Sequence, residues 1–152
     1  MEAVRLAVRG SNLRAGDVML MGSVSGKTAR SVELALACRA IGVKVIGFTS
    51  SAYTARVKSD HPSGKKLCDV VDVVIDNGAP YGDAAVEVPG LEEKMLPVSG
   101  VSSIVAGWML WGRVMEKMAA AGKRPSTFIS INRKGGKEYY EKNKVRFNKR
   151  GY

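Results

Sequence analysis

The residues best placed to do chemistry lie between Ser23 and Thr28, where the chain reads Ser-Val-Ser-Gly-Lys-Thr. This stretch follows an apolar run, Val18 to Met21, and precedes a helical pattern, Ala29 to Ile41. The first turn of a helix has amide N–H groups without backbone acceptors, and the helix dipole adds about half a positive charge there. Gly26 lets the backbone approach an anion closely, and the neighbouring hydroxyls donate hydrogen bonds. The sequence therefore predicts a phosphate-binding loop made of Ser23, Val24, Ser25, Gly26, Lys27 and Thr28.

Two other interpretations compete for this loop. A Walker A loop requires a glycine, four further residues and then Gly-Lys-Ser/Thr. Only three residues separate Gly22 from Gly26, and Met21 stands where the first glycine belongs. Because a Walker A loop wraps a triphosphate with a fixed number of amides, the missing residue argues against an NTPase. The second alternative, a helix start capped by hydroxyl residues and binding no ligand, stays open.

Three apolar runs rich in β-branched residues predict a parallel sheet with a helical crossover between the first two. The runs are Val18 to Met21, Val43 to Ser50 and Asp72 to Gly78. Parallel sheets bind ligands beyond the carboxyl ends of their strands. Small polar residues follow all three runs, so we expect a hydroxylated anion to bind at this edge. The residues predicted to contact the rest of this ligand, beyond its charged group, are Ser50, Ser51, Asn77, Ser102 and Ser103.

The pattern S-x-S-G-x-T resembles the phosphosugar loop of the sugar isomerase (SIS) domain family. In that family the two serines, the threonine and the intervening amides hold the phosphate of a sugar phosphate. Several later segments are similar to a poorly characterised branch of SIS-domain phosphosugar-binding proteins, so the resemblance covers nearly the whole chain. These segments are His61 to Leu67, Val71 to Pro80, Gly82 to Ala84 and Pro97 to Gly107. The resemblance implies an α/β fold of three layers, flavodoxin-like, with a parallel sheet flanked by helices.

The resemblance also implies that the N-terminal part of the domain is absent from this sequence. The family's domain usually begins with a helical segment and two further strands, one of which lies beside the strand that feeds the phosphate loop. Here only residues 1–16, a predicted helix and linker, precede Val18. The strand from Val18 to Met21 then has an open edge, which favours a homo-oligomer or a partner chain that pairs there. The sequence fits a fragment of a larger protein, one part of a split protein, or a trimmed version of the domain.

Length and composition fit one domain over residues 1–152. A chain of 152 residues with 45% hydrophobic content can form a usable core. The charged start at Met1 to Arg5 lacks the apolar run of a signal peptide, and the run from Val101 to Trp111 is too short to span a bilayer. We therefore expect a cytoplasmic protein with no membrane partner. Because Cys38 and Cys68 lack metal-ligand spacing, we expect reduced packing residues, no metal and no cofactor.

The positive charge is concentrated at one end. The net charge is +10, and residues 123–152 contribute +8 of it, with Arg124, Tyr139, Tyr140, Phe147 and Tyr152 among the basic and aromatic side chains. Such a mixture can contact RNA or DNA. An amphipathic helix with docked aromatic rings and solvated lysines explains it as well. We favour the helix, so nucleic acid is the weaker prediction.

Catalysis has little support in the residues. Isomerising an aldose to a ketose moves a proton between adjacent carbons and needs a positioned base and acid. His61, in a polar connector from Ser51 to Lys66, and Glu87 are the catalytic candidates. Three hypotheses stay open: a sugar-phosphate isomerase, a non-catalytic phosphosugar-sensing module, and a nucleic-acid-binding protein that uses the basic segment.

Two further elements are predicted in the C-terminal half. The spacing from Ile104 to Ala121 predicts a helix with a buried side formed by Val105, Met109, Val114 and Met118. The methionine and tryptophan residues of this helix could instead form a surface for a partner. Core or dimer packing explains them better than a cofactor site does. A short final strand is expected at Thr127 to Ile131.

Overall fold

The computed structural model describes residues 1–123 and 125–150, so Arg124 and Tyr152 of the predicted basic segment lie outside the described residues. The helices are α1 (Glu2–Arg9), α2 (Ala29–Ala40), α3 (Ser51–Thr54), α4 (Leu67–Val70), α5 (Ser99–Ala120) and α6 (Gly136–Arg150). The strands are β1 (Val18–Gly22), β2 (Lys44–Thr49), β3 (Val73–Asp76), β4 (Ala84–Val86) and β5 (Met95–Pro97). Packing divides the chain into two units, Met1–Gly107 and a second that begins at Trp108.

The first unit contains a parallel sheet in the order β1-β2-β3, flanked by helices. Leu20 of β1 pairs with Ile46 of β2, and Ile46 pairs in turn with Val73 of β3. The predicted α/β fold, with three parallel strands and a helical crossover, is confirmed. Within the described sheet β1 is an edge strand, and its carboxyl end leads directly into the predicted phosphate loop.

Helix α2 connects β1 to β2 and starts and stops where its sequence dictates. Thr28 keeps an extended backbone (φ −61°, ψ 124°), so the helix begins at Ala29. The body is rich in alanine and leucine, which have high helix propensity. Gly42 ends the turn after the helix with φ +81°, where a Cβ atom would lie 2.9 Å from the Cβ of Ala15. Only glycine fits that turn without strain.

The core of this unit lies between α2, α4 and β2. Buried side chains line each element at the spacing that its geometry requires, every third residue on α2 and alternate residues on β2. They are Val32, Ala35 and Cys38 of α2, Val43 and Val45 at β2, and Leu67 and Val70 of α4, with Val8 of α1 at the rim. This cluster fixes α2, and with it the loop that precedes the helix.

Helix α5 begins five residues earlier than predicted because Asp83 caps it. The Asp83 carboxylate accepts hydrogen bonds from the Ser99 amide (2.8 Å), the Ser99 hydroxyl (2.6 Å) and the Val98 amide (3.2 Å). A carboxylate at this position satisfies free amides of the first turn and suits the helix dipole. Asp83 also has φ +68°, which places its side chain over the helix start.

The buried side predicted for α5 is wrong for the described chain. None of its residues is buried, and Val105 and Met109 are 53% and 72% exposed. The amphipathic spacing predicts the helix correctly but cannot say what covers its apolar side. Of the helices in the described part of the chain, none combines the length and apolar character that crossing a bilayer requires.

In the second unit, Phe128 packs against α6. Its ring lies 5.3 Å from the Tyr140 ring and 6.2 Å from the Phe147 ring, measured between centroids, and Thr127 shares a 2.7 Å hydrogen bond with the Tyr139 hydroxyl. The strand predicted at residues 127–131 is therefore wrong, because Phe128 serves a helix and the described residues offer this segment no strand partner. The docked rings agree with an amphipathic C-terminal helix.

Leu67→Ala tests the core described above. Leu67 is fully buried among α2, α4 and β2, so its truncation should lower the free energy of unfolding by about 2–5 kcal/mol. Urea denaturation followed by circular dichroism measures this. The exposed Leu91 provides the control, and Leu91→Ala should change stability by less than about 0.5 kcal/mol. Equal midpoints for the two variants would contradict the packing.

Candidate functional site

The first half of the phosphate loop is held by β2. The Ser23 amide donates to the Phe48 carbonyl (2.9 Å) and continues the β1–β2 pairing past the end of the strand. One residue later, the Val24 carbonyl accepts from the Ser50 amide (2.9 Å) and the Thr49 hydroxyl (3.2 Å). Because N–H and C=O point in opposite directions across a trans peptide, the Ser25 amide faces away from β2.

Two more distant segments hold the second half of the loop. The Gly26 carbonyl accepts from the Leu67 amide (2.8 Å), and the Lys27 carbonyl accepts from the Asp60 amide (2.9 Å). By the same peptide geometry, the Thr28 amide faces away from Asp60. The loop carbonyls are thus bonded on the inner side, and the amides that follow them are turned outward.

The outward side of the loop offers hydrogen-bond donors that have no protein partner within the described chain. The Ser25 hydroxyl makes only a long contact, 3.5 Å from the Lys27 amide. At the start of α2, a helix of 12 residues, the dipole favours negative charge. In the loop and the first turn of α2, the donors without a partner among the described residues are the amides of Val24, Ser25, Thr28, Ala29 and Arg30 and the hydroxyls of Ser23, Ser25 and Thr28. This arrangement can bind an anion with three acceptor oxygens.

Gly26 is required by the turn itself. Its φ of +62° lies in the left-handed region, and a Cβ atom would lie 3.1 Å from the Thr49 hydroxyl oxygen. A side chain here would strain the backbone and push against Thr49, which bonds the Val24 carbonyl. The glycine therefore keeps the loop close to β2.

Lys27 brings a positive charge beside the loop. Its ammonium lies 3.3 Å from the Asp60 carboxylate, and both side chains are about half exposed. An ion pair in that setting contributes little to stability. Lys27 is therefore held near the donors by a contact that a more highly charged anion can compete with.

Ser50 and Ser51, both predicted on the sugar side, occupy different environments. The Ser50 hydroxyl is fully buried, caps α3 by accepting from the Tyr53 amide (3.0 Å) and donates to the Ala79 carbonyl (2.5 Å). Ser51 is exposed and donates to the Asp76 carboxylate, a hydrogen bond that lowers the pKa of Asp76 more than the Gly78 amide does. Only Ser51 is open to solvent.

Asn77 and Ser103 are brought together, whereas Ser102 points elsewhere. The Asn77 amide nitrogen donates to the Ser103 hydroxyl (3.2 Å), and its oxygen accepts from the Ala79 amide (3.1 Å). The Ser102 hydroxyl instead bonds the carbonyls of Val98 and Ser99 in its own helix turn. Their part in sugar binding stays a prediction.

The two catalytic candidates are not brought together. His61 is buried against α2, where Nε2 lies 3.0 Å from Glu33 Oε2 and Nδ1 lies 2.7 Å from the Ser63 hydroxyl. Glu87 lies by the β4–β5 hairpin, 79% exposed, with the Lys94 ammonium 2.8 Å away lowering the pKa of its carboxyl. A catalytic role for either residue remains a prediction.

Sequence reasoning missed Glu33. Its carboxylate is only 4% exposed, bonded on one oxygen by Arg5 and on the other by His61, which is 8% exposed. The hydrogen bond from Arg5, and next that from His61, lowers the pKa of Glu33 despite burial. A cavity of about 500 Å³ adjoins the three side chains. The available signal was a glutamate beside Val32 on the apolar side of the α2 pattern.

The cysteines and acidic residues form no evident metal site in the part of the chain that is described. No group of three histidine, cysteine, aspartate or glutamate side chains lies close enough there to hold an ion. Cys38 is buried and Cys68 half-buried, both are free thiols, and burial raises the pKa of each.

Glu33→Gln should make the free energy of unfolding depend less on pH. Because the folded-state pKa of Glu33 lies below its unfolded value of about 4.3, the carboxylate stabilises the fold above that pH. This stabilisation disappears as the pH falls through the folded-state pKa. The variant should therefore have a lower free energy of unfolding than the wild type at pH 7. This difference in free energy should become smaller below about pH 4.

Urea denaturation at pH 7 and pH 3 provides the measurement. Glu87→Gln serves as the control because its exposed pair with Lys94 should contribute little at either pH. If the difference in free energy of unfolding between Glu33→Gln and the wild type is the same at both pH values, Glu33 is not a charged, paired carboxylate.

Comparison with known proteins finds a family model that matches the segment containing this loop. Residues 3–50, which include the whole loop, match the SIS domain family model. A UPF0309 protein of Shouchella clausii is 37% identical over 131 residues, which cover 85% of this chain and 52% of that protein. A UPF0309 protein of Streptomyces griseus is 38% identical over 82% of this chain and 50% of its own length.

A third relative aligns with almost all of the chain. The UPF0309 protein of Caldanaerobacter subterraneus is 34% identical over 98% of this chain and 61% of its own length. The chain thus spans about half the length of the curated relatives it matches. A SIS domain implies binding of a carbohydrate derivative. The resemblance to the SIS domain family is confirmed over residues 3–50, and UPF0309 proteins are similar to the chain over most of its length.

Proposed function

We propose that the loop from Ser23 to Thr28 binds the phosphate group of a sugar phosphate. The observation that carries this proposal is the division of the loop into bonded carbonyls and outward-facing donors. The amides of Thr28, Ala29 and Arg30 lie at the start of α2, where the dipole adds to their attraction for an anion. The match of residues 3–50 to the SIS domain supports a carbohydrate derivative as the ligand.

The chemistry of the donors favours a phosphate ester over a carboxylate or a neutral sugar. Two serines and a threonine can donate without bringing charge of their own, and Lys27, within the same loop, carries one positive charge. Hydrogen bonds to a charged oxygen contribute about 1.5–3 kcal/mol each. A phosphate dianion can accept charge-assisted hydrogen bonds on three free oxygens, whereas a carboxylate has only two oxygens and a neutral sugar has no charge to strengthen the bonds.

Binding, rather than catalysis, is what the described residues support. Isomerisation requires a base and an acid at the sugar carbons. Both ring nitrogens of His61 are bonded, and Glu87 pairs with Lys94 at the hairpin. We therefore propose a phosphosugar-binding module. Isomerisation remains a prediction from the family resemblance.

A thermal-shift panel tests the ligand class. Glucose 6-phosphate and fructose 6-phosphate should raise the unfolding midpoint, because a ligand stabilises the fold by RT ln(1 + [L]/Kd). Free glucose and fructose at the same concentrations should not. A shift confined to ATP or GTP would overturn the proposal and favour the NTPase interpretation.

Ser25→Ala tests the loop directly. Loss of its hydroxyl should weaken binding of a hexose phosphate by about 1–3 kcal/mol, because the lost hydrogen bond is to a charged oxygen. Isothermal titration calorimetry measures the change. The matched control is Val24→Ala, since Val24 contributes its backbone carbonyl to β2. Equal affinities for both variants would contradict phosphate binding by this loop.

A further inference from the structure

We propose that Glu33 and His61 are positioning residues that hold the phosphate loop in its binding conformation. They do so by fixing residues 59–66, here named the His61 connector, so that the Asp60 amide bonds the Lys27 carbonyl. That bond turns the Thr28 amide outward toward the anion. The inference rests on the proposed function of the loop and assigns a role to a buried cluster outside it.

The bonding of the imidazole identifies its tautomer. The Ser63 amide lies 3.1 Å from His61 Nδ1 and donates to it, so Nδ1 is an acceptor. The proton is therefore on Nε2, which donates to Glu33 at 3.0 Å. Because the other Glu33 oxygen is bonded by Arg5, the carboxylate is fixed on both sides. The imidazole has one orientation that satisfies both of its nitrogens.

The anchor and the anion donors lie on the same rigid element. Glu33 is five residues after Thr28 on α2, a separation of about 7–8 Å along the helix axis. A connector bonded to Glu33 is therefore placed at a fixed distance from the first turn. Asp60, the residue before His61, then reaches the Lys27 carbonyl with its amide and the Lys27 ammonium with its carboxylate.

The His61 connector is also braced internally. The Ser59 hydroxyl accepts from the His61 amide (3.0 Å) and donates to the Lys65 carbonyl (2.6 Å). At its far end, the Lys66 ammonium bonds the Thr54 carbonyl at 2.6 Å. The Leu67 bond to the Gly26 carbonyl follows directly and does not pass through His61. The loop is thus held by two separate contacts, one to Asp60 of the His61 connector and one to Leu67 of α4, of which only the Asp60 contact depends on the buried pair.

Amide hydrogen exchange of the full chain, measured by NMR, tests the anchor without any ligand. In His61→Ala the Asp60 amide should exchange at least about tenfold faster than in the wild type, while the Leu67 amide should be unchanged. His61→Gln, which can still donate to Glu33, should restore most of the Asp60 protection. Ser59→Ala offers a milder route to the same loss if His61→Ala folds poorly. Unchanged Asp60 protection in both His61→Ala and Ser59→Ala would overturn the inference.

Titration of the same variants with glucose 6-phosphate tests the consequence for binding. Affinity should fall by about tenfold in His61→Ala and by less than about threefold in His61→Gln, as expected for one misplaced amide. Faster Asp60 exchange with unchanged affinity would also overturn the positioning role. A wild type that binds no phosphate ester would instead refute the proposed function, and the exchange data would still show whether the anchor exists.

Discussion

The hydrogen bonds on the loop carbonyls decide which way the loop amides face, and the candidate site depends on that choice. A loop of small residues after a strand has many conformations, and a buried carbonyl without a partner is costly. Here β2, the His61 connector and α4 each bond one carbonyl, at Val24, Lys27 and Gly26. The free amides follow from these bonds, so the donors of the proposed anion site depend on neighbours outside it.

Much of the sheet could be predicted from local sequence. Buried parallel strands are continuous apolar runs, and β1, β2 and β3 fall within one or two residues of the predicted bounds. Helix α2 was equally clear because Thr28 and Gly42 mark its two ends. These features depend on residues close in sequence, where periodicity and turn chemistry are strongest.

The errors arise where a residue depends on what it packs against. The apolar side of α5 predicts a helix, yet burial requires a covering surface that periodicity cannot supply. Phe128 lies in a strand-like pattern and packs on α6 instead. Glu33 and His61 are separated by 28 residues, so no local motif links them. Six consecutive residues are enough to propose the phosphate loop, whereas the contacts that orient it cannot be read from local sequence.

The partners of the loop carbonyls come late in the chain, which affects how the site forms during folding. Asp60 lies 33 residues after Lys27, and Leu67 lies 41 residues after Gly26. Contacts that close such long loops form only after the intervening segment is ordered. The nascent chain therefore carries the whole motif well before the loop carbonyls can be bonded and the amides oriented. A polypeptide released before α4 emerges would contain every residue of the loop but would lack the hydrogen bond from Leu67 that helps to orient it.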